Sequence, residues 1–419
     1  MYKRATLNNG IRVVYEKIPY LRSVSAGIWV RTGSRNENEQ NNGISHFVEH
    51  MMFKGTVNRS AKEIAESIDN VGGQLNAFTG KECTCYYTKT LDSHIDIAID
   101  VLADMFFNSR FNNKDIDIEK NVVLEEINMY EDFPEDLVHD ILSETVWDGN
   151  PLSFPILGNK ECLERIDRDV ILDYINKYYT PENCVISVAG NIEFEELLKL
   201  IEKYFKDWEF KESAANSDEK PEFLTNTKIK VKDTEQVHVC LGFEGIEHGK
   251  DELYSLLAVN NIFGGGMSSQ LFQKIREEKG LAYSIYSYPS SYKGAGLFTI
   301  YAAMKPKHIN DVIKLVGEEI NKLISTGISE EDLEKSKNQL KGSYILGLES
   351  TSSRMNSIGK SELLLGRINT PEQILQKIDD INMDKAKDII ERIFDINRVS
   401  VSAVGNIKGD INVKEIIGL

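Results

Sequence analysis

The chain contains two copies of one pattern, and this duplication limits the folds available to it. A strand-like segment ending in Gly-Asn-Ile closes each half, at residues 185–192 and again at residues 399–407, and each follows a helical segment and a loop. Residues 211–225 separate the halves and begin with a polar stretch that ends at Pro221, as linkers do. We therefore predict two homologous domains, 1–210 and 226–419, joined by the linker 211–225.

Strand and helix signals alternate within each half. Residues 11–16 and 23–30 are rich in β-branched side chains and predict strands. Ser60 and Glu63 form a capping box that opens a helix, and residues 96–107 have the apolar spacing of another helix. With 419 residues, the chain is too long for one ordinary hydrophobic core. We predict an α+β fold of two homologous repeats, each a mostly antiparallel sheet with helices packed on one face.

One short segment combines two histidines with a carboxylate. His46 and His50 are four residues apart, so on an α-helix both imidazoles lie on one face and can reach one point. Two imidazoles at this spacing suit a tetrahedral zinc ion. Glu49 completes the inverted order His-x-x-Glu-His, in which its carboxylate can act on water at the metal. A solvated helix face with two unrelated histidines is the alternative interpretation.

A catalytic zinc site needs a third protein ligand and one open position. The Pro-free helical pattern at residues 117–130 offers two adjacent glutamates: Glu126 falls on a largely apolar stripe with Val122, whereas Glu125 falls on a polar one. A carboxylate on an apolar face is costly unless it is paired or bound to a metal. We predict Glu126 as the third ligand, with Glu119 on the same stripe as a hydrogen-bond partner of the ligands. A buried ion pair between Glu126 and a Lys or Arg is the alternative.

These segments resemble motifs of the pitrilysin and mitochondrial-processing-peptidase family, the zinc metallopeptidases with the inverted motif. Residues 43–56 resemble the family's zinc helix, and Glu126 follows His50 by 76 positions, which is similar to the family's spacing for the third ligand. Glu119 matches the family's additional acidic residue. Residues 72–79 resemble its substrate-binding edge strand, which implies that substrate lies along Asn76, Ala77, Phe78 and Thr79.

The second half departs from the first at the metal motif. When the two repeats are aligned, Leu256, Val259 and Asn260 take the places of the three motif residues, so the second copy has no metal ligands. One catalytic half in a duplicated chain is also what the resemblance implies. It further implies a clam-shell fold and one Zn²⁺ per chain.

Two residues of the second half resemble a substrate-binding pair of the family. Arg276 precedes Tyr283 by seven positions, as in the pair that binds substrate and stabilises the tetrahedral intermediate. An ion pair of Arg276 with a nearby Glu, and a plain strand position for Tyr283, are the alternatives. Because the chain resembles the short-chain branch, which closes its chamber by dimerising, we expect a homodimer in which this pair completes the partner's zinc site.

Composition excludes several classes of function. The net charge of −17 disfavours nucleic acid, whose phosphates would be repelled. No apolar run is long enough to span a membrane, and the first residues have no signal-peptide core. The five cysteines are odd in number and lack a Cys-x-x-Cys pair, which suits a reducing cytoplasm.

We therefore expect a cytoplasmic zinc endopeptidase that cleaves unfolded peptides or presequence-like segments inside a dimeric chamber. Zinc held by His46, His50 and Glu126 would activate water, Glu49 would move the proton, and Tyr283 would donate to the developing oxyanion. A noncatalytic or partner-dependent subunit of processing-peptidase type is the alternative, because the same fold also serves as a scaffold.

Overall fold

The computed structural model describes residues 2–209, 219–409 and 411–417. The strands are β1 (Tyr2–Thr6), β2 (Arg12–Lys17), β3 (Ser23–Val30), β4 (Gln74–Thr79), β5 (Thr84–Leu91), β6 (Cys184–Gly190), β7 (Thr227–Val231), β8 (Val237–Glu244), β9 (Ala282–Tyr292), β10 (Ala295–Met304) and β11 (Ser400–Gly405). The α-helices are α1 (Ile44–Met51), α2 (Ala61–Asp69), α3 (Ile95–Asn108), α4 (Asn113–Asp132), α5 (Pro134–Val146), α6 (Lys160–Arg165), α7 (Arg168–Tyr178), α8 (Phe194–Phe205), α9 (Glu252–Phe263), α10 (Ile309–Thr326), α11 (Glu330–Gly347), α12 (Thr351–Leu365), α13 (Pro371–Asp379), α14 (Met383–Ile393) and α15 (Val413–Ile417). Short 3-10 helices occur at Ser34–Asn36, Asp92–His94, Pro151–Ser153, Pro306–His308 and Ile396–Arg398, and a π-helix at Phe272–Glu278.

The chain divides into two compact units with one sheet each. The first unit consists of Met1–Ile127, Phe154–Ser217 and Ile345–Thr370, and the second of Asn128–Ser153, Asp218–Tyr344 and Pro371–Leu419. The prediction of an α+β fold with two homologous repeats is confirmed. Within the described residues, no helix is both long and apolar enough to cross a bilayer.

The first sheet has six strands in the order β1-β2-β6-β3-β5-β4. All neighbours are antiparallel except β2 and β6, which run parallel. Its main core lies on one face, where Val13, Ile28 and Ile186 are at most 1% exposed. Burying each such side chain fully contributes about 1.5–3 kcal/mol, so this layer fixes the helices that pack on it.

The second sheet has five strands in the order β7-β11-β8-β10-β9. Again one pair, β7 and β11, is parallel and the others are antiparallel. This order repeats β2-β6-β3-β5-β4 of the first sheet, strand for strand. The matching topology is what an internal duplication produces.

Each sheet has a helix on its other face, and both helices come from the opposite half of the sequence. Helix α12 packs on β2, β3 and β6 of the first sheet, with Met355 and Ile358 against Trp29. Helix α5 packs on β8 and β11 of the second sheet through Val138 and Leu142. A strand such as β6, mostly apolar and buried throughout its length, needs cover on both faces.

The packing of α5 and α12 on the sheets of the opposite halves corrects two details of the sequence-based prediction. The continuous domains 1–210 and 226–419 differ from the observed units in α5 and α12, and helices cover two faces of each sheet rather than one. Of the predicted linker 211–225, residues 211–218 lie outside the described residues, and residues 219–225 have no regular secondary structure.

Candidate metal centre

Helix α1 holds His46, Glu49 and His50 on a firmly packed support. Its apolar side includes Phe47 and Val48, both completely buried in the core of the first unit. The three polar side chains are partly buried beside it. The imidazole rings of His46 and His50 have centroids 4.5 Å apart, as the spacing of four residues on a helix predicts.

A buried carboxylate holds the start of α1. Gly43 precedes the helix with φ of 95°, a left-handed conformation that favours glycine. Glu37 Oε2 accepts hydrogen bonds from the Gly43 amide (2.7 Å) and the Asn42 side chain (2.8 Å). Its Oε1 accepts from the amide (2.8 Å) and the hydroxyl (2.6 Å) of Ser45. A negative charge at a helix N-terminus is favourable, so Glu37 fixes the position of the helix that bears the motif.

Helix α4 provides the two predicted glutamates. Glu119 is 2% exposed, Glu126 is partly buried and Glu125 is exposed, as the periodicity predicted. Val123 is completely buried, but Val122 is 41% exposed. The prediction that Val122 belongs to a buried stripe is therefore wrong, because the contact face of α4 is narrower than the stripe.

The structure brings the three predicted ligand side chains together. Glu126 Oε2 lies 3.9 Å from Nε2 of His46 and 3.5 Å from Nε2 of His50. One potential ligand atom from each residue lies within 4.8 Å of the others, and no other such group of three occurs in the part of the chain that the structure describes. The ion-pair contacts of Glu126 thus run to the two histidines, not to a Lys or Arg as the alternative interpretation required.

A series of polar contacts extends from Nδ1 of His50. Nδ1 of His50 is 2.8 Å from Oε1 of Glu119, and Glu119 also forms an ion pair with Lys54. A carboxylate on Nδ1 places the proton there and leaves Nε2 free for a metal. Glu119 therefore acts on the centre through His50, which is a positioning role.

Burial and neighbouring charges set the protonation of the two imidazoles differently. Burial, with a smaller contribution from His50, lowers the pKa of His46 to about 4, so His46 is neutral at pH 7. Burial also lowers the pKa of His50, but the hydrogen bond with Glu119 and the charge of Glu126 outweigh it, and the net shift is upward. His46 Nδ1 is buried without a hydrogen-bond partner among the described residues, so only His50 has its ring fixed by a second residue.

The donor set fits zinc. Two imidazole nitrogens and one carboxylate oxygen are the ligands of many catalytic zinc sites, which leave a fourth position open. Tetrahedral bonds of about 2.0–2.2 Å separate neighbouring ligand atoms by about 3.4 Å. The observed separations of 3.5 and 3.9 Å are close to that value.

Glu49 is the carboxylate next to this group. Its Oε2 accepts a hydrogen bond from the hydroxyl of Thr79, at the end of β4. Burial raises the pKa of Glu49, and the hydrogen bond from Thr79 opposes that rise. Thr79 was predicted as a substrate contact; the structure shows its hydroxyl engaged by the carboxylate of Glu49.

Strand β4 forms one edge of the first sheet, because it pairs with β5 alone. Its side chains alternate: Asn76 and Phe78 are exposed, whereas Ala77 and Thr79 are partly buried. The outer edge of such a strand offers backbone groups to which an extended peptide can hydrogen-bond.

Arg276 and Tyr283 belong to the second unit. Arg276 is exposed on the π-helix, its guanidinium 4.7 Å from the ring centroid of Phe272 and 3.9 Å from Glu277. Tyr283 is 49% exposed on β9. π-helices are rare and are frequent at functional sites.

The neighbouring glycine-rich segment contains a close contact. A side chain at Gly264 would place its Cβ 2.2 Å from the hydroxyl oxygen of Ser287, so close packing requires glycine there. In the same unit, Leu256, Val259 and Asn260 are buried, where the first repeat has its metal motif.

Sequence reasoning missed two residues of the centre, Glu37 and Lys54, and gave Thr79 a different role. Glu37 had a local signal, since an acidic residue shortly before a glycine-initiated helix can interact with its N-terminus. Lys54 and Thr79 had none, because their contacts depend on how separate elements pack.

Comparisons with known proteins identify related sequences over most of the chain. A family model described as "Insulinase (Peptidase family M16)" matches residues 12–160, and one described as "Peptidase M16 inactive domain" matches residues 165–340. His46, His50 and Glu126 all fall within the first match. The second match covers most of the repeat that lacks metal ligands.

Two bacterial relatives match almost end to end. A Bacillus subtilis protein named as the uncharacterized zinc protease YmxG is 48% identical, over 97% of this chain and 99% of its own length. A Streptomyces coelicolor protein, also named as an uncharacterized zinc protease, is 38% identical over 97% of this chain and 90% of its own.

Solved structures share the fold. A protease from Helicobacter pylori superposes with a TM-score of 0.90 at 22% identity, covering 97% of this chain and 99% of that one. A structure from Pseudomonas fluorescens titled as a peptidase M16 inactive domain gives a TM-score of 0.91 at 17% identity, covering 98% and 99%.

Proposed function

The chain belongs to peptidase family M16, and from this premise we propose that it is a zinc-dependent endopeptidase whose metal ligands are His46, His50 and Glu126. The observation that supports this most is the convergence of three potential ligand atoms within 4.8 Å of one another, from two helices far apart in sequence. Its relatives are named zinc proteases, which supports the same class of activity.

Each residue of the centre has a distinct part in this proposal. Zinc, when bound, acts as a Lewis acid that polarises the peptide carbonyl and makes water more acidic. Glu49 accepts the proton of the attacking water and delivers it to the leaving amine. Glu119 holds the His50 ring with Nε2 toward the metal, and Lys54 offsets the charge of Glu119.

The substrate in this proposal is an extended peptide that adds to the edge of β4. Main-chain hydrogen bonds along residues 76–79 recognise the backbone rather than particular side chains, so specificity is broad. A folded protein cannot offer such a strand, which restricts substrates to unfolded or presequence-like segments. All five cysteines are buried free thiols, a state that suits a reducing cytoplasm.

The test begins with metal content and cleavage of a quenched fluorescent peptide by purified protein. We expect one zinc ion per chain and activity that a chelator removes and zinc restores. Glu49→Gln should keep the zinc and lose turnover by about 100-fold or more, since general-base catalysis contributes about 10²–10⁴-fold. Near-wild-type cleavage by this variant would show that Glu49 is not the base.

Adjacent glutamates offer a matched pair of variants. Glu126→Gln should lose zinc, whereas Glu125→Gln, at an exposed neighbouring position, should retain both zinc and activity. A wild-type protein that binds zinc but cleaves no peptide would instead indicate a noncatalytic or partner-dependent subunit.

We propose further that the active form is a homodimer in which Arg276 and Tyr283 of one subunit complete the zinc site of the other. Both side chains are exposed in the second unit and can donate hydrogen bonds to a carbonyl or an oxyanion. Mixing inactive Glu49→Gln and Arg276→Ala proteins under conditions of subunit exchange should restore up to about a quarter of wild-type activity per chain, because each mixed dimer holds one intact site. No recovery despite verified exchange would contradict the shared site.

A further inference from the structure

We propose that Thr79 is a positioning residue that ties the general base Glu49 to the strand along which the substrate lies. This inference rests on the proposed peptidase function and adds a residue that sets the geometry of its proton transfer. The main observation that supports it is the hydrogen bond from the Thr79 hydroxyl to Glu49 Oε2.

Strand geometry directs Thr79 toward α1. Along β4, the side chains of Leu75, Ala77 and Thr79 point to the same face and are partly buried, and α1 packs against this strand. Thr79 is opposite Thr84 of β5, which anchors its backbone in the sheet. The hydroxyl that meets Glu49 therefore comes from a fixed main chain, not from a mobile loop.

One hydrogen bond suffices to orient the carboxylate. Glu49 has rotatable side-chain bonds, and its Oε1 and Oε2 exchange places when the carboxyl group turns. With Oε2 accepting the Thr79 hydroxyl hydrogen, Oε1 is left to accept the proton of a reacting water. A general base must lie within about 2.6–3.2 Å of the proton that it takes, so a freely turning carboxylate spends time outside productive geometry.

The same contact joins the base to the proposed substrate site. A peptide that adds to the edge of β4 takes its register from the backbone of residues 76–79, with about 3.3 Å per residue. Thr79 is the last residue of that strand. The same strand, β4, then positions both the peptide and the general base. The distance between the scissile carbonyl and the carboxylate of Glu49 is therefore set by a single fixed element.

This role differs from that of a substrate contact. A hydroxyl has a single hydrogen to donate, and the carboxylate of Glu49 receives it. Removal of the hydroxyl should therefore affect turnover more than substrate affinity, whereas loss of a substrate contact would raise KM.

The test compares Thr79→Val, which keeps the shape without the hydroxyl, with Thr79→Ser, which keeps the hydroxyl. We expect Thr79→Val to lower kcat about 10- to 100-fold with KM within about twofold, the size of effect that small misplacements produce. Thr79→Ser should recover most of the lost turnover, and zinc content should be equal in all three proteins. The matched control is Thr88→Val on β5, whose buried hydroxyl has no hydrogen-bond partner in the described part of the chain.

A second measurement does not depend on activity. In chelator-treated protein, Thr79→Val should lower Tm when Glu49 is present, and the shift should be much smaller in a Glu49→Ala background, because coupled residues are not additive. If the effects of the Thr79→Val and Glu49→Ala substitutions on Tm are additive, the two side chains do not interact, and the inference is wrong.

The kinetic outcomes separate this inference from the peptidase proposal. Unchanged kcat in Thr79→Val, or a raised KM with unchanged kcat, would overturn the positioning role while the wild type still cleaves peptide. If the wild-type protein with zinc bound cleaves no peptide, the peptidase proposal fails and this inference fails with it.

Discussion

Glu119 shows how a single side chain can act on the candidate metal centre without being one of its predicted ligands. It is almost fully buried, accepts from Nδ1 of His50 and pairs with Lys54. An ionised carboxylate in this position both orients the ring and increases the basicity of Nε2. Its effect should thus appear in metal affinity before it appears in the chemistry.

At this scale we expect Glu119→Gln to weaken zinc binding by about 10- to 100-fold, as loss of such partners commonly does. The measurement is competition against a chromophoric chelator at fixed pH. Glu125→Gln, on the exposed side of the same helix, is the control and should leave zinc affinity unchanged. Equal affinities for Glu119→Gln and wild type would show that the His50 ring is held by other contacts.

Individual residues of the centre were predictable to different degrees. The pairing of His46 with His50 needs only a helix, and the choice of Glu126 over Glu125 needs only its period. The contact of Thr79 with Glu49 needs the position of β4 relative to α1. Local spacing in the sequence does not determine that position.

Among the elements, α12 packs very closely on its sheet. Gly359 faces Trp29 and Ser187, and a Cβ at this position would lie 2.2 Å from Nε1 of the Trp29 indole and 2.6 Å from the Ser187 hydroxyl. These two groups already hydrogen-bond each other at 2.8 Å. Absence of a side chain is what lets the helix approach the strands.

Gly359→Ala should therefore destabilise the protein by about 1–3 kcal/mol, because overpacking outweighs the gain in helix propensity. Urea unfolding measures this change. Gly342→Ala in α11 is the matched control, since a Cβ there meets nothing within 4 Å. Alanine should stabilise that helix by about 0.5–1 kcal/mol. Stabilisation by both substitutions would mean that α12 can move away from the sheet.

Several elements followed from local sequence, but their packing partners did not. The capping box at Ser60 and Glu63 is present, and strand β3 has the predicted bounds. The sequence analysis did not predict on which sheets α5 and α12 pack, because an apolar helix face can pack on either sheet. Only tertiary packing assigns each helix to the sheet of the other half.

At the scale of the whole molecule, a partly buried histidine links stability to pH. His139 on α5 lies 2.8 Å from the hydroxyl of Tyr288 through Nδ1, and 3.4 Å from that of Tyr286 through Nε2. Burial lowers the pKa of His139 to about 4, with Asp136 opposing and His238 adding to the shift. In the unfolded chain the pKa of a histidine is about 6.5.

Between these two pKa values the unfolded chain binds the proton more readily than the folded one. The free energy of unfolding should therefore be fully retained above about pH 6.5 and decline as the pH falls toward about 4. Urea unfolding of wild type and His139→Gln at pH 7 and pH 5 measures the effect, and the variant should lose less stability between them. Equal losses in the two proteins would show that another group governs acid sensitivity.

Because α5 and α12 each pack on the sheet of the opposite half, the chain cannot be divided between its repeats into two complete domains. A gene fragment that ends between the repeats encodes one sheet without its outer cover and one helix without its sheet. Neither fragment is then a self-sufficient module for recombination into other proteins. Two fragments produced together, by contrast, should reassemble, because each supplies the helix that covers the sheet of the other. The chain is therefore a suitable starting point for a split-protein reporter.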